Sequence, residues 1–346
     1  MKKAIVFGVT GQDGSHLADL LLDKQYKVIG VNRRASTDNT ERISHILDHE
    51  RFELVQADIT DAHSVYQVLK DNDDVDEVYN LAAQSHVGVS FKQPALTWDI
   101  TGKGCLNILQ SIVELGLFGC RFYQASSSEM FGASYDINRD QVKYQNEETK
   151  FLPQSPYAIA KCASHYMTRL CREGYGIHAS AGILFNHEGP RRGETFVTRK
   201  IVSALCKIKM GFQKKLYLGN LEAKRDWGHA KDYVEAMWKM LQKKNPSDYV
   251  ISTGKQYTVK QFVNLTLKEL RIKYLWKGKG INSKCYDAHG NCIISCDEEY
   301  YRPLEVDTLL GNSNKARREL KWKPKISLKN LIKEMVNSEL LKLSND

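Results

Sequence analysis

The stretch Gly8-Val9-Thr10-Gly11-Gln12-Asp13-Gly14 decides the fold of this chain, because it joins a short apolar run to a helical pattern. Residues 3–8 are typical of a buried strand, and Leu17, Leu20 and Leu21 follow with helical spacing. Glycines at these positions allow a tight turn and let backbone N–H groups approach a pyrophosphate at the helix N-terminus. The sequence therefore predicts a dinucleotide site at the start of the chain.

Outward from this loop, strand and helix patterns alternate as far as residue 185. Strand patterns lie at residues 3–8, 27–31, 52–56, 77–81, 121–125 and 179–185. This alternation predicts an α/β fold, a Rossmann-type doubly wound parallel sheet. Beyond residue 186 the pattern becomes irregular and predicts a smaller C-terminal mixed α/β substrate domain. We expect a dinucleotide-binding domain in residues 1–185, re-entered at about residues 222–258, and a substrate domain in residues 186–346.

The charge of the chain favours anionic ligands. Its 346 residues are 42% apolar, enough for two cores, and 50 Lys and Arg against 41 Asp and Glu give a net charge of +9. Ten basic and two acidic residues fall in residues 190–225. No aromatic-basic motif indicates nucleic acid, and no apolar run is long enough for a membrane span. Eight cysteines without an export signal predict reduced thiols and a cytoplasmic protein. The spacing of Cys285, His289, Cys292 and Cys296 does not fit a common zinc site, so we predict no metal.

The end of the second strand indicates which dinucleotide is bound. Asn32-Arg33-Arg34 stands where an NAD site has a carboxylate for the ribose diol. Guanidinium groups suit a 2′-phosphate, so the sequence predicts NADP. Asp58 and Ile59, after the third strand, are expected to flank the adenine. Leu81, Ala82 and Ala83, after the fourth, are small enough to line the cofactor channel.

A catalytic group is predicted from two motifs. Tyr157 and Lys161 are one helical turn apart, and we expect the cation to lower the pKa of the phenol so that it can exchange protons. Ser127 and Glu129 follow the fifth strand, at the edge where open α/β sheets bind ligands. Hydride transfer between an alcohol and a ketone needs only the Ser, Tyr and Lys. The carboxylate of Glu129 therefore suggests a second proton transfer, alpha to a newly formed ketone.

Several blocks of sequence resemble one family closely. Leu184-Phe185-Asn186-His187-Glu188 and Pro190-Arg191-Arg192-Gly193, with residues 80–87, 122–126, 223–238 and 300–307, are similar to the GDP-mannose 4,6-dehydratases of the extended short-chain dehydrogenase/reductase superfamily. The likeness extends over almost the whole chain. It implies a lyase that uses NADP and acts in GDP-deoxyhexose (fucose or rhamnose) biosynthesis.

The resemblance also implies a reaction cycle. Tyr157 is the base while hydride leaves C4 of GDP-mannose, and Glu129 removes the C5 proton as the C6 hydroxyl departs as water. Hydride then returns to C6 and leaves GDP-4-keto-6-deoxymannose. Lys161 additionally holds the nicotinamide ribose.

The binding residues and the assembly follow from the same resemblance. The implied cofactor contacts are Gly8, Thr10, Gly11, Gln12, Asp13, Gly14, Arg33, Asp58, Ile59, Leu81, Ala82, Ala83, Gln84, Ser85, Tyr157, Lys161, His187 and Arg192. The implied sugar-nucleotide contacts are Ser85, Asn186, Val197, Lys200, Arg225, Arg302 and Glu305. The family implies a homo-dimer or homo-tetramer, in which residues 35–40 help to join subunits of the tetrameric members.

The chain departs from the family pattern at three places, and two other functions stay open. Ser127 replaces the usual Thr, Leu96 replaces a frequent Tyr, and the stretch between Glu129 and Tyr157 is longer than usual. A related nucleotide-sugar epimerase or reductase is one alternative, including an enzyme that reduces its own product at C4 with NADPH. A non-catalytic NADP-binding regulator is the other, although it should lack a complete Ser–Tyr–Lys set.

Overall fold

The computed structural model describes residues 1–301, 304, 306 and 308–345. Its strands are β1 (Lys3–Phe7), β2 (Lys27–Asn32), β3 (Phe52–Gln56), β4 (Glu77–Asn80), β5 (Arg121–Ser127), β6 (Asp136–Ile137), β7 (Lys143–Tyr144), β8 (His178–Leu184), β9 (Asn186–Glu188), β10 (Leu216–Leu218), β11 (Lys224–Arg225), β12 (Trp227–His229), β13 (Tyr249–Ile251), β14 (Tyr257–Thr258), β15 (Tyr274–Lys277), β16 (Lys284–Asp287) and β17 (Cys292–Cys296).

The helices lie between these strands. They are α1 (Gln12–Asp23), α2 (Ala62–Lys70), α3 (Val87–Lys92), α4 (Pro94–Thr97), α5 (Gly104–Glu114), α6 (Pro156–Gly174), α7 (Val197–Lys209), α8 (Ala230–Leu241), α9 (Val259–Glu269), α10 (Asn314–Glu319) and α11 (Leu328–Asn345). A π-helical segment, Trp98–Lys103, joins α4 to α5. Within the described residues, no helix is both long enough and apolar enough to cross a membrane.

A seven-stranded parallel sheet confirms the predicted Rossmann-type fold. Its strand order is β13-β8-β5-β4-β1-β2-β3. The six predicted strands are all present, and β5 continues two residues further than predicted, through Ser127. The chain runs outward in opposite directions from β1 and β4, and this switch in strand order opens a crevice at the carboxyl ends of the strands.

Helices cover both faces of this sheet, which explains why its central strands are buried almost throughout. On one face α1 and α8 contribute Leu17, Leu21 and Met237 to the core. On the other face α2 and α5 contribute Val65 and Ile108. Strand β13 lies at one edge, and α8 and β13 both come from the later part of the chain. This core also includes three side chains from near the C-terminus: Ala316, Leu320 and Trp322.

A smaller mixed sheet forms the second core, as the sequence predicted for the C-terminal region. Its order is β10-β17-β16-β15, with β10 and β17 parallel and the remaining pairs antiparallel. Helices α7, α9 and α11 pack there through Leu205, Phe262 and Leu331. The long stretch between Glu129 and Tyr157 forms a small hairpin, in which β6 pairs with β7.

Candidate active site

The glycine-rich loop (residues 8–14) forms a close-packed turn between β1 and α1. Gly8 has a φ of 83°, and a Cβ added to it would lie 2.8 Å from the backbone nitrogen of Ala82. A Cβ added to Gly14 would lie 2.2 Å from the carbonyl oxygen of Gly8. Gly11 caps α1 without a side-chain hydrogen bond to the first N–H groups of the helix. The loop is therefore a backbone cradle whose N–H groups suit a phosphate.

The ends of β2 and β3 lie beside this cradle. Asn32 donates a hydrogen bond of 3.1 Å to the side chain of Asn39, and both residues lie with Arg33 in the wall of one cavity. Asp58 accepts a 2.9 Å hydrogen bond from the backbone N–H of Thr60. Asn32, Arg33 and Asn39 bring one positive charge and no carboxylate to the end of β2, which favours an anionic group there.

One cavity of about 1270 Å³ brings together most of the predicted site residues. It is lined by Gly8, Thr10, Gly11, Gln12, Asp13, Gly14, Arg33, Asp58, Ile59, Leu81, Ala82, Ala83, Ser85, Ser127, Glu129, Tyr157, Lys161, Asn186, His187, Arg192, Val197 and Lys200. A pocket for one drug-sized ligand measures about 300–1,000 Å³, so this cavity has room for a dinucleotide and a second ligand.

Two predicted contacts lie outside the described lining. The amide of Gln84 donates 3.0 Å to the hydroxyl of Thr97. Arg225 is buried and donates 2.6 Å to the carbonyl oxygen of Val306. Arg302 and Glu305 are outside the described residues.

The predicted catalytic side chains converge at the carboxyl end of β5. Ser127 is the last residue of that strand, and its hydroxyl accepts a 3.2 Å hydrogen bond from the backbone N–H of Glu129. Tyr157 and Lys161 lie in the first turns of α6, which begins at Pro156 after the capping side chain of Ser155. All four are at least nine-tenths buried. A hydroxyl, a carboxylate, a phenol and an ammonium thus meet in one water-poor recess.

The expected effect of Lys161 on Tyr157 is wrong for this structure. Burial raises the pKa of Tyr157 to about 12, although the hydrogen bond with Ser127 acts in the opposite direction. The ammonium of Lys161 donates 2.6 Å to the carbonyl oxygen of Ala125 and lies 5.8 Å from the centre of the phenol ring. Burial also lowers the pKa of Lys161 to about 8. The cation is thus directed at the strand backbone, so desolvation determines the protonation of Tyr157.

A buried ion pair connects the glycine-rich loop to β9. Nδ1 of His187 donates 2.7 Å to the carbonyl oxygen of Phe185, and Nε2 donates 2.7 Å to Asp13. Because both ring nitrogens donate, His187 is an imidazolium. Burial opposes both charges, but the pair outweighs it: the pKa of His187 is raised and the pKa of Asp13 is lowered to about 2. The loop is therefore held by a partner that lies 174 residues away in the chain.

The opposite wall of the cavity is more open and is assembled from distant segments. Lys200, on α7, places its ammonium 3.4 Å from the ring centre of Tyr300. Burial lowers the pKa of Lys200, whereas Glu299 and Asp297 raise it. Asn186 begins β9, and Val197 begins α7. This wall offers a cation, an aromatic ring and an amide to a second anionic ligand.

Sequence reasoning did not assign several aromatic side chains of the wall to the site, among them His86, Phe196 and Tyr300. The rings of His86 and Phe196 lie 5.6 Å apart, and the guanidinium of Arg192 lies 3.7 Å above Phe196. His86 stands within residues 80–87, which were singled out as a block, so the signal for it was present. Tyr300 likewise stands within residues 300–307, whereas Phe196 lies outside the blocks and only its place in the folded wall reveals it.

The group of Cys285, Cys292 and Cys296 lies on two strands of the smaller sheet. Cys285 is buried between β15 and β17, whereas Cys292 and Cys296 are partly exposed. Within the described part of the chain, no three His, Cys, Asp or Glu side chains are grouped closely enough to hold a metal ion.

Comparison with known proteins gives consistent matches over the whole chain. The family model described as GDP-mannose 4,6 dehydratase matches residues 5–335. A GDP-mannose 4,6-dehydratase of Vibrio cholerae serotype O1 is 46% identical, with 98% of this chain and 94% of the relative covered. One from Yersinia enterocolitica is 47% identical over the same shares.

Solved structures share the fold at lower identity. A dTDP-glucose 4,6-dehydratase from Bacillus anthracis, in complex with NAD, has a TM-score of 0.78 at 22% identity, covering 98% of this chain and 96% of that one. RMD from Pseudomonas aeruginosa, complexed with NADPH, has a TM-score of 0.75 at 20% identity, covering 99% and 100%.

Proposed function

The chain belongs to the GDP-mannose 4,6-dehydratase family, and from that premise we propose how its own residues divide the reaction among themselves. The family's activity converts GDP-mannose to GDP-4-keto-6-deoxymannose with loss of water, and the protein is a lyase. One observation supports the assignment of residues: a single cavity joins the glycine-rich loop to Ser127, Glu129, Tyr157 and Lys161.

NADP is the proposed cofactor, and the residues present fit it. Because Gly8 and Gly14 have no Cβ, the loop packs closely on residues 81–82 and on itself. The N-terminus of α1 has no side-chain cap, so its first N–H groups are open to a diphosphate. Arg33 supplies a guanidinium for a 2′-phosphate where an NAD site has a carboxylate. Further contacts would come from Thr10, Gly11, Gln12, Asp13, Asp58, Ile59, Leu81, Ala82, Ala83, Gln84, Ser85, His187 and Arg192. When bound, NADP accepts a hydride from C4 of the sugar and supplies it to C6, and its oxidised ring is cationic.

Tyr157 and Ser127 would handle the proton of the C4 hydroxyl. The Ser127 hydroxyl orients the sugar oxygen, and the Tyr157 phenolate takes its proton. With a pKa of about 12 the phenol is protonated at neutral pH, so this role requires additional positive charge close to its oxygen. Lys161, one turn away, would hold the ribose of the cofactor and keep that charge in place.

Glu129 would remove the proton at C5. The C4 ketone acidifies this proton, and the C6 hydroxyl leaves as water when the C5–C6 double bond forms. The side chain of Glu129 is buried beside Ser127, so its carboxylate acts in a water-poor environment. In the elimination the C5 proton and the C6 hydroxide would leave together as water. When hydride returns to C6, C5 would take up one proton, which balances the proton that Tyr157 took from the C4 hydroxyl.

The open wall would bind the sugar nucleotide. Lys200, with Arg225 and Arg302, would neutralise the diphosphate, while Asn186, Val197, Ser85 and Glu305 would contact the sugar, ribose or guanine. In this proposal residues 1–185, with residues 222–258, hold the cofactor, and residues 186–346 hold GDP-mannose.

A second copy of this chain would cover an apolar surface on α4, α6 and the π-helical segment. Ile159, Tyr166 and Leu170 on α6 are each about half exposed, as are Leu96 and Trp98 next to them. Exposed apolar residues grouped in this way mark a protein interface. We propose a homo-dimer through this surface, with a tetramer as the larger alternative. We also propose a cytoplasmic location, in keeping with eight free cysteines.

The test is to incubate the purified protein with GDP-mannose and NADP and to follow the product by mass spectrometry. Loss of one water without net consumption of NADP supports the proposal. No turnover, while another GDP-linked or nucleotide-linked hexose reacts, overturns the assignment of the substrate.

A further inference from the structure

A buried chain of polar side chains lies directly behind the catalytic group. The hydroxyl of Ser126 lies 2.9 Å from Nδ1 of His165. Nε2 of His165 faces the carboxylate of Asp248 at 3.8 Å, and Asp248 forms two hydrogen bonds of 2.8 Å with Arg172. Neither Ser126 nor His165 belongs to the contacts assigned above.

The protonation state of His165 determines which group donates and which accepts in these hydrogen bonds. Burial lowers the pKa of His165, so the ring is neutral at neutral pH. The carboxylate on the Nε2 side favours the tautomer with its proton on Nε2, since that places the N–H dipole toward the negative charge. Nδ1 is then an acceptor, and Ser126 donates its hydroxyl proton to it.

The elements joined by this bond are the two that bear the catalytic group. Ser126 immediately precedes Ser127 on β5. His165 follows Lys161 by one turn and Tyr157 by two turns on α6, so all three face β5. Lys161 already binds the carbonyl oxygen of Ala125. The Ser126–His165 hydrogen bond is thus a second link between strand and helix, one residue further along β5 and one turn further along α6.

We propose that His165 is a positioning residue for the dehydratase reaction. By holding the hydroxyl of Ser126 it sets how α6 sits on β5, and therefore the distance between the Tyr157 phenol and the Ser127 hydroxyl. This inference rests on the function proposed above. Misplacement of a reacting group by 1 Å can cost about 100-fold in rate, so a loosened helix should slow the hydride step.

Three variants isolate the bond. His165→Phe keeps an aromatic ring next to Phe151, whose ring centre is 5.2 Å away, but it cannot accept a hydrogen bond. His165→Asn keeps an amide near the position of Nδ1 and should restore the link. Ser126→Ala removes the same bond from the strand side and provides a smaller change if the Phe variant does not fold. Thr168→Val is the matched control, because Thr168 is buried on the same helix and its hydroxyl contacts the carbonyl oxygen of Ser164 and the thiol of Cys105, neither of which lies on β5.

The measurement is steady-state kinetics with GDP-mannose and with its C4-deuterated form. We expect His165→Phe to lower kcat by about 10-fold with KM nearly unchanged, and to raise the deuterium isotope effect on kcat. Ser126→Ala should do the same, the double variant should be no worse than either single one, and His165→Asn should recover most of kcat. The isotope effect does not depend on the fraction of folded enzyme.

Two results would overturn the proposal. One is a His165→Phe variant with the kcat and isotope effect of the unmodified enzyme. The other is a loss of kcat equal to that of Thr168→Val with an unchanged isotope effect, which would indicate a purely structural role. Failure of the unmodified enzyme to dehydrate GDP-mannose would instead refute the proposed function itself.

Discussion

The two walls of the cavity are built in different ways. The cofactor wall consists of short segments that each follow a strand of one parallel sheet, such as the glycine-rich loop after β1 and Asp58 after β3. The sugar wall is assembled from α7 and the end of β10, which are consecutive elements, and from the 299–301 segment, which lies far from them in the chain. In the cofactor wall backbone and small residues dominate, whereas the sugar wall uses long side chains such as Lys200 and Tyr300.

This difference indicates where the specificity for cofactor and for substrate can change. A Cβ at Gly14 would meet the backbone at 2.2 Å, so this glycine of the cofactor wall cannot be replaced without moving the loop. The sugar wall rests on side-chain contacts, such as Lys200 against Tyr300, which can be exchanged without disturbing a strand. We therefore expect changes in the cofactor wall to alter folding or cofactor choice, and changes in the sugar wall to alter substrate affinity alone.

The largest effect is expected where the two walls meet. Glu129→Gln should lower kcat by roughly 10²- to 10⁴-fold, the usual contribution of a general acid or base, while NADP still binds. Turnover is followed by mass spectrometry and NADP affinity by calorimetry. Glu173→Gln, at an exposed glutamate that pairs only with Arg169, serves as the control. Unchanged turnover in the Glu129 variant would show that another group removes the C5 proton.

The second-largest effect is expected for a substitution in the cofactor wall, and it should change the binding of NADP. Arg33→Met should weaken NADP binding by about 10- to 100-fold, the value of a hydrogen bond to a charged group, and leave NAD binding nearly unchanged. Arg34→Met is the matched control, because Arg34 is outside the described cavity lining. Equal losses for NADP and NAD would contradict a 2′-phosphate contact.

A substitution in the sugar wall should weaken the binding of the substrate and not that of the cofactor. Lys200→Met should raise the KM for GDP-mannose by about 10-fold and leave the affinity for NADP unchanged, because one charge-assisted contact to the diphosphate is lost. Lys207→Met, on the same helix but outside the described lining, should have no effect. A loss of NADP affinity in the Lys200 variant would show that the walls do not act separately.

The smallest effect concerns the ion pair that joins the cofactor wall to β9. The raised pKa of His187 adds stability below about pH 6.5 that is lost as the pH rises through the folded value. The free energy of unfolding in urea should therefore fall as the pH rises above about 6.5 and through the raised pKa of His187 in the folded protein. Asp13→Asn should cost on the order of 1 kcal/mol at neutral pH and reduce this slope.

Asp19→Asn is the control for this measurement. Asp19 lies on the same helix and contacts His45 at 2.7 Å, but this pair is more exposed. The Asp19→Asn variant should keep the same dependence of the free energy of unfolding on pH. An Asp13→Asn variant with the slope of the unmodified protein would assign the pH dependence to other groups.

The fold could be predicted from the sequence because its signals are local. Six strands and the glycine-rich loop each occupy a short contiguous segment with its own apolar pattern. The seventh strand was not predicted as a strand, since Tyr249–Ile251 is only three residues long and forms a strand by pairing with β8. The family resemblance extended the candidate site to Lys200 and His187, and its block at residues 300–307 contains Tyr300, whereas Phe196 lies outside the blocks.

The parallel sheet and the glycine-rich loop follow from the sequence itself, because apolar periodicity and glycine spacing act over a few residues, and the proposed catalytic side chains follow from short motifs and the family resemblance. The shifted pKa values of Tyr157 and Lys161 and the contacts between distant residues come only from the tertiary structure. Burial raises the pKa of Tyr157 against the expected effect of Lys161, and it brings Asp13 to His187 and Ser126 to His165. Desolvation and contacts between distant segments exist only after the chain has packed, so no local pattern can specify them.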